Sequence, residues 1–255
     1  MPTIYDEIAE QYKRSKQVAW RYYIEQYSLC ELAGEIAGHS VLDLACGEGH
    51  YTRVFRKVGA SRVVGVDIST RMIELATATE RAEPLGIEYL VGDASSVQFR
   101  DTFDIVVAAY LLNYARCEQE LLSMAKAIHR SLKPGGRFVT VNNNPNQQPS
   151  SFGNTRKYGF VKKASGELRN GAAIHYTFLQ DGEEFIIENY HLDTATHVWA
   201  FQEAGFSDVR WHTPQLASTQ SGASAEYWAD FLRDPPIALF ACRKQASAQT
   251  EPRSS

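Results

Sequence analysis

The chain has 255 residues, 44% hydrophobic and 22% charged, an ordinary globular composition that excludes a fibrous or wholly disordered protein. A net charge of −4 supplies no basic field for a polyanion, so a nucleic-acid partner is disfavoured, and no apolar run approaches the roughly 18 residues that suggest a membrane span. The start, MPTIYDEIAEQYK, does not read as a secretory signal, and the dispersed Cys30, Cys46, Cys117 and Cys242 favour reduced thiols in the cytoplasm over disulfides or a metal site.

Residues 4–33 read as helix, with Ile4, Ile8, Tyr12, Ile24, Tyr27 and Leu32 at roughly helical spacing and Gly34 and Gly38 as stops. SVLDLAC (40–46) reads as a short strand running into Gly47-Glu48-Gly49, and a helical stretch follows to about Val58. RVVGVDI (62–68) is a second strand, and Ser69 caps a helix that runs to about Ala82. IEYLVGD (87–93) and FDIVVAAY (103–110) are the third and fourth strands. A helix over about 117–132, a turn at Lys133-Pro134-Gly135-Gly136 and a fifth strand, RFVTVNN (137–143), complete the alternation. Strands alternating with helices predict βαβ units and a parallel sheet, and near-continuous apolar strands fit burial on both faces.

Residues 144–173, rich in Asn, Gln, Pro, Ser and Gly, read as a long irregular excursion. Lys162 and Lys163 within it read as a solvated face. AIHYTFLQ and EEFIIENYHL flank Asp181-Gly182, a hairpin signal. A helix at about 194–204 and strands at 208–213 and 236–244 close the fold, and the small, polar tail 245–255 reads as disordered. The expected class is α/β: a doubly wound, Rossmann-like, seven-stranded sheet, mostly parallel with an antiparallel C-terminal hairpin, under an N-terminal helical lid.

Glycines at a strand-to-helix turn let a ligand approach the backbone, which alone is a weak signal. The stronger signal is the set of acids. Asp43 lies in strand one, Asp67 ends strand two about twenty residues after the loop, and Asp93 ends strand three. Open parallel sheets bind ligands at their carboxyl ends, so the three carboxylates converge on one crevice, where Asp67 can accept both hydroxyls of a ribose. A nicotinamide dinucleotide fits poorly. Its G-x-G-x-x-G fingerprint needs glycine where Thr52 stands, and Glu48 would oppose a pyrophosphate. Asp43 suits a cationic ligand.

DLACGEG resembles the first motif of class I S-adenosylmethionine-dependent methyltransferases, and GVDIS, GDA, FDIVVAAYLLNYA and LKPGGRF resemble the later ones in the same order, over residues 39–143. Ala45 departs from the glycine frequent there. The resemblance implies S-adenosylmethionine as cofactor and S-adenosylhomocysteine as its product. It places Gly47 and Gly49 against the methionine part, Asp67 on the ribose diol, Ile68 and Met72 beside adenine, Asp93 and Ala94 at the adenine ring, and the Ala109 backbone facing the amino group. YDEIAEQY resembles the lid helix of small-molecule members, which implies Tyr5 in the cofactor site, Tyr12 near the sulfonium and Arg21 on the cofactor carboxylate. The chain then divides into a lid (1–38), a cofactor-binding core (39–143) and a substrate side (144–244) of one domain, and the polar-aromatic face of the lid helix, with little apolar partner until a ligand fills the site, predicts that the lid closes after cofactor binds.

AAYLLNYA, RKYGFVKK, the hairpin and ADFLRDPPI resemble a bacterial N-methyltransferase subgroup of the toxoflavin pathway, which implies ring-nitrogen methylation of a planar heterocycle in secondary metabolism. Aromatic faces suit such an acceptor and a sulfonium cation alike. Trp20, Tyr110, Tyr114, Tyr158 and Tyr190 are therefore candidate acceptor contacts, with Asn113 and Asn143 as amides at the same rim. Asn113 stands where many members carry histidine and is, with Tyr12, the catalytic candidate. His175, His191, His197, Glu188 and Asp193 are candidates for a base if the acceptor needs one. No metal is expected, and the chain is expected to be a monomer or homodimer. O- or C-methylation of another metabolite, and non-catalytic cofactor binding, stay open as alternatives.

Overall fold

The computed structural model describes residues 9, 16, 18–180, 182–218 and 224–246. Tyr5, Tyr12 and the tail beyond residue 246 lie outside them.

The strands are β1 (Ser40–Leu44), β2 (Arg62–Asp67), β3 (Glu88–Val91), β4 (Phe103–Ala109), β5 (Leu132–Asn143), β6 (Phe160–Ala164), β7 (Ala173–Gln180), β8 (Glu183–Tyr190), β9 (Phe206–His212) and β10 (Ile237–Lys244). The helices are α1 (Tyr27–Ala33), α2 (His50–Lys57), α3 (Thr70–Ala82), α4 (Glu118–Ser131), α5 (Thr194–Glu203) and α6 (Ala225–Arg233). Seven strands form one sheet in the order β3-β2-β1-β4-β5-β10-β9. Its first five are parallel, and β10 runs antiparallel to both β5 and β9. The expected fold class holds.

Strand alternation sends successive side chains to opposite faces, and both faces of this sheet are buried. Val41, Val63, Ile105, Val107 and Val139 join Leu29 and Phe55 in one layer. Leu42, Val64, Val106 and Phe138 join Leu121, Ile128 and Phe201 in the other. Only the carboxyl ends of the strands are left for a ligand.

Three segments depart from the sequence reading. Of the helix expected over 4–33, Ala9 and residues 19–33 are helical, but Lys16 lies in a turn and Val18 in a bend, and the run widens into a π-helical turn (Arg21–Gln26) before α1, which Gly34 ends at φ 68°. A helix, α6, stands where none was expected, capped by Ser224 and sunk into the core at Trp228 and Phe231. Finally, β6 arises inside the supposed irregular excursion and makes the hairpin a three-stranded antiparallel sheet, β6-β7-β8.

The alternation of β6 was hidden because its inward position holds a lysine. Phe160 and Lys162 point in, and Lys163 points out. Lys162 is therefore no solvated residue. Its ammonium lies 4.6 Å from the Phe152 ring and 5.4 Å from the Tyr176 ring, and it donates to the Pro236 carbonyl at 3.3 Å. Burial pushes its pKa down to about 7, against the pull of Asp234. A lysine depressed by folding penalises the folded state as pH falls from its unfolded value, about 10.4, to its folded value, and the penalty is complete below that. We expect Lys162→Met to flatten the rise in melting temperature between pH 7 and 10 and to raise stability at pH 7. Parallel slopes in both proteins would refute the assignment.

Candidate active site at the carboxyl ends of the strands

β1 leaves the sheet through Ala45 (φ 58°), Gly47 (φ 56°) and Gly49 (φ 87°). The left-handed Ala45 explains why glycine suits that position, since a Cβ there costs about 1–2 kcal/mol. At Gly47 a Cβ would project into open space, so the backbone is bare toward a ligand; at Gly49 it would lie 2.3 Å from the Tyr89 hydroxyl. Asp67 pins this loop, accepting from Gly47 N–H at 2.8 Å and from Ser69 N–H at 2.9 Å. Ser69 in turn caps α3 by accepting from Met72 N–H at 3.1 Å.

Asp43 lies below the loop, wholly buried, with neither carboxyl oxygen hydrogen-bonded. Burial pushes its pKa up to about 8, with Asp67 and Glu48 adding to the rise. Lys16 and the Thr52 N–H pull it down, the latter without meeting hydrogen-bond geometry. A buried carboxyl without hydrogen bonds favours a cation beside it, and the Lys16 charge acts on it here. Ile68, 54% exposed beside Asp67, offers an apolar surface, whereas Met72 is packed in the core. Asp93 accepts from the Ser95 N–H and hydroxyl through one oxygen, closing the turn in which Ala94 is buried.

Beyond Ala109 the chain turns at Tyr110, whose φ of 66° is unusual for a bulky residue. Tyr110 opens onto a narrow, partly open cavity lined by Trp20, Arg21, Tyr110, Tyr114, Asn143, Phe160, Tyr176, Phe178, Ile187, Asn189 and Ile237. The β6-β7-β8 sheet forms one wall of it, through alternate residues of β7 and β8. Asn143 donates to the Asn189 side-chain carbonyl at 3.2 Å. The Tyr176 hydroxyl is buried with no partner, and burial raises its pKa. Among the described lining residues there is no carboxylate, imidazole or thiol.

Trp20, Tyr110, Tyr114 and Asn143 thus line the cavity. Asn113, the catalytic candidate, does not: it donates to the Tyr110 carbonyl at 3.0 Å and accepts from Asn143 N–H at 3.2 Å, bracing two strand ends. Tyr158 is core, stacked on Trp228 and donating to the Tyr227 carbonyl at 2.6 Å, and its own carbonyl receives the Trp20 indole N–H at 3.0 Å. Tyr190 binds Glu188 and lies under Arg116, away from the cavity. Arg21, expected on the cofactor carboxylate, is ion-paired at 2.9 Å with buried Glu25. Of the suggested bases, His175 pairs with Glu188 at 3.2 Å, and His197 is buried with its ring N–H on the Asp193 carbonyl at 2.8 Å. Asp193 caps α5. Phe160, Tyr176, Phe178, Ile187, Asn189 and Ile237 were missed. Period-two alternation along the hairpin carried the signal for those on β7 and β8.

A family profile described as a methyltransferase domain matches residues 42–140. The chain is 31% identical over 191 residues to a ubiquinone/menaquinone biosynthesis C-methyltransferase, UbiE, of Klebsiella pneumoniae, covering 71% of this chain and 72% of that one. It is 40% identical over 112 residues to a demethylmenaquinone methyltransferase of Lactococcus lactis, spanning only 43% of that relative's length. Among solved structures, an S-adenosylmethionine-dependent methyltransferase from Mesorhizobium loti superposes with a TM-score of 0.63 at 21% identity, covering 90% of this chain and 99% of that one. A DhpI–SAM–HEP complex gives 0.61 at 22% identity, covering 94% of each. At that identity the likeness concerns the fold.

Proposed function

Because this chain belongs to the class I S-adenosylmethionine-dependent methyltransferases, we propose that it methylates a small planar ring held in the aromatic cavity, with a ring nitrogen as the accepting atom. The observation that carries this reading is the composition of the cavity wall: aromatic faces, an amide pair and phenols, with no described side chain able to act as a strong base. A ring nitrogen has an available lone pair, and an amide pair both donates and accepts along a mixed ring edge. A hydroxyl acceptor would usually call for a base or metal.

The cofactor supplies a methyl group on a sulfonium leaving group. The residues fit it. Gly47 leaves the backbone bare, Asp67 would accept from a ribose at the end of β2, Ile68 presents an apolar face, and Asp43 would offer a counter-charge. Trp20, Tyr110 and Phe178 gather around the Arg21 guanidinium in the wall that faces the acceptor, and the protein's contribution is alignment of two reactants and exclusion of water. In this reading residues 1–38 are the lid, 39–143 hold the cofactor and 144–244 build the acceptor wall.

A second reading, ring-carbon methylation, is favoured by the C-methyltransferase named among the relatives. The two separate when methyl-labelled S-adenosylmethionine is supplied with a fused pyrimidine heterocycle or with a hydroquinone. The carbon-13 shift of the product distinguishes a methyl on nitrogen from one on carbon. We expect the nitrogen product. Methylation of the hydroquinone alone would replace the first reading by the second.

A further inference from the structure

We propose that Glu25 is a positioning residue that sets Arg21 and Tyr110 on the acceptor cavity and ties their placement to the cofactor loop. The inference rests on the reading of that cavity as the acceptor's seat.

Glu25 is fully buried on the π-helical turn. One carboxylate oxygen accepts from the Tyr51 hydroxyl at 2.6 Å and from Arg21 at 3.2 Å. The other accepts from Arg21 at 2.9 Å and from the Tyr110 hydroxyl. Three separate stretches of chain meet on one carboxylate. Tyr51 lies two residues past Gly49, at the start of α2. Tyr110 directly follows Ala109, with a left-handed φ that something must hold. Arg21 lines the cavity, its guanidinium 4.6 Å from the Trp20 ring, 5.4 Å from Tyr110 and 5.8 Å from Phe178. The next residue, Gln26, adds a second tie from the turn to α2, its side-chain oxygen 2.9 Å from His50 Nε2.

Stability alone does not explain this arrangement. A buried ion pair is often replaceable by apolar residues of the same volume with no loss of stability, so its role has to be sought elsewhere. Wide π-turns are uncommon and recur at functional sites. Burial alone would raise the Glu25 pKa, but Arg21, Lys16 and the two phenols outweigh it and hold the group ionised. A fixed negative charge with fixed donors can transmit position. A shift of the loop that carries Gly47 and Gly49 moves Tyr51, and through Glu25 it moves Arg21 and Tyr110. Filling the cofactor site then finishes the acceptor site, which makes binding ordered, cofactor first.

Amide hydrogen exchange over residues 18–33, with and without saturating S-adenosylhomocysteine, tests this in wild type, Glu25→Gln and Tyr110→Phe. In wild type the ligand is expected to slow exchange across 21–26 by roughly tenfold or more. Both variants are expected to bind S-adenosylhomocysteine within roughly fivefold of wild type while losing most of that ligand-dependent increment. A merely structural Glu25 would lower protection equally with and without ligand. If Glu25→Gln fails to fold, Tyr110→Phe decides, since it removes one hydroxyl and keeps the ring. A full increment in Tyr110→Phe, or none in wild type that binds the ligand, overturns the proposal. Failure of wild type to bind the ligand at all would instead overturn the cofactor assignment, and failure to methylate any planar ring would overturn the reading of the cavity.

Discussion

Asp67→Ala is expected to abolish useful cofactor binding while leaving a folded protein. Asp67 has two tasks at one point. It holds the glycine loop through the Gly47 and Ser69 N–H groups, and in the proposed reading it also accepts from a ribose diol. Each hydrogen bond to a charged group is worth about 1.5–3 kcal/mol, so losing two ribose contacts corresponds to about 3–6 kcal/mol and an affinity drop of at least about a hundredfold. The loop adds to the loss, because an unpinned Gly47 no longer presents a fixed backbone. Asp67→Asn is no rescue. An amide placed there turns an NH₂ group toward Gly47 N–H or Ser69 N–H, donor against donor. Calorimetric titration of S-adenosylhomocysteine measures both variants. Wild-type affinity in either would mean that the ribose lies elsewhere.

The parts of the site that were legible in the sequence are those fixed by local chain geometry. The loop at 45–49 must turn tightly after a buried strand, and the acid of β2 must stand beside it because adjacent parallel strands end together: Leu44 pairs with Val66, one residue short of Asp67. Motif spacing therefore translated into space without help from tertiary packing. Asn113, Tyr158 and Tyr190 could not be placed that way. Each is a polar or aromatic residue near the right strand ends, but the direction of its side chain is decided by distant partners: Asn143, Trp228 and Arg116. Composition shows only that aromatics are available, not which face they cover. β6 was lost for a related reason, since a lysine at an inward position contradicts the period-two pattern. Only the structure shows the Phe152 and Tyr176 rings that accept it. Arg21 was placed on the cofactor carboxylate by the resemblance of the N-terminal segment to a lid helix, which says nothing of Glu25 four residues on. The wide turn carries both residues inward.

Binding of S-adenosylmethionine is expected to release close to one proton at pH 7, and Asp43 is the group that supplies it. With a pKa of about 8 in the unliganded protein, Asp43 is mostly protonated at neutral pH. A cation seated beside it favours the carboxylate and lowers its pKa, so the ligand binds more tightly to the ionised form. Affinity therefore rises with pH up to about 8 and falls by up to about tenfold per unit below it, until the liganded pKa is reached. Calorimetry in two buffers of different ionisation enthalpy counts the proton directly. In Asp43→Asn the release should vanish, and the affinity deficit should be large at pH 9 and small at pH 6. The stability consequence has the opposite sign. An acid whose pKa is raised by folding penalises the fold as pH rises from about 3.9 toward its folded value, and the penalty is complete above that. At pH 8.5 the unliganded Asn variant should therefore melt higher than wild type, each 1 kcal/mol recovered being worth about 2–4 °C in a chain of this size. A variant that is more stable when empty and weaker in binding is what a charge kept for a ligand predicts. A variant that loses both stability and affinity would mean that Asp43 is a structural acid whose partners lie in the fold itself. Retention of the proton release in the variant would assign it to another group.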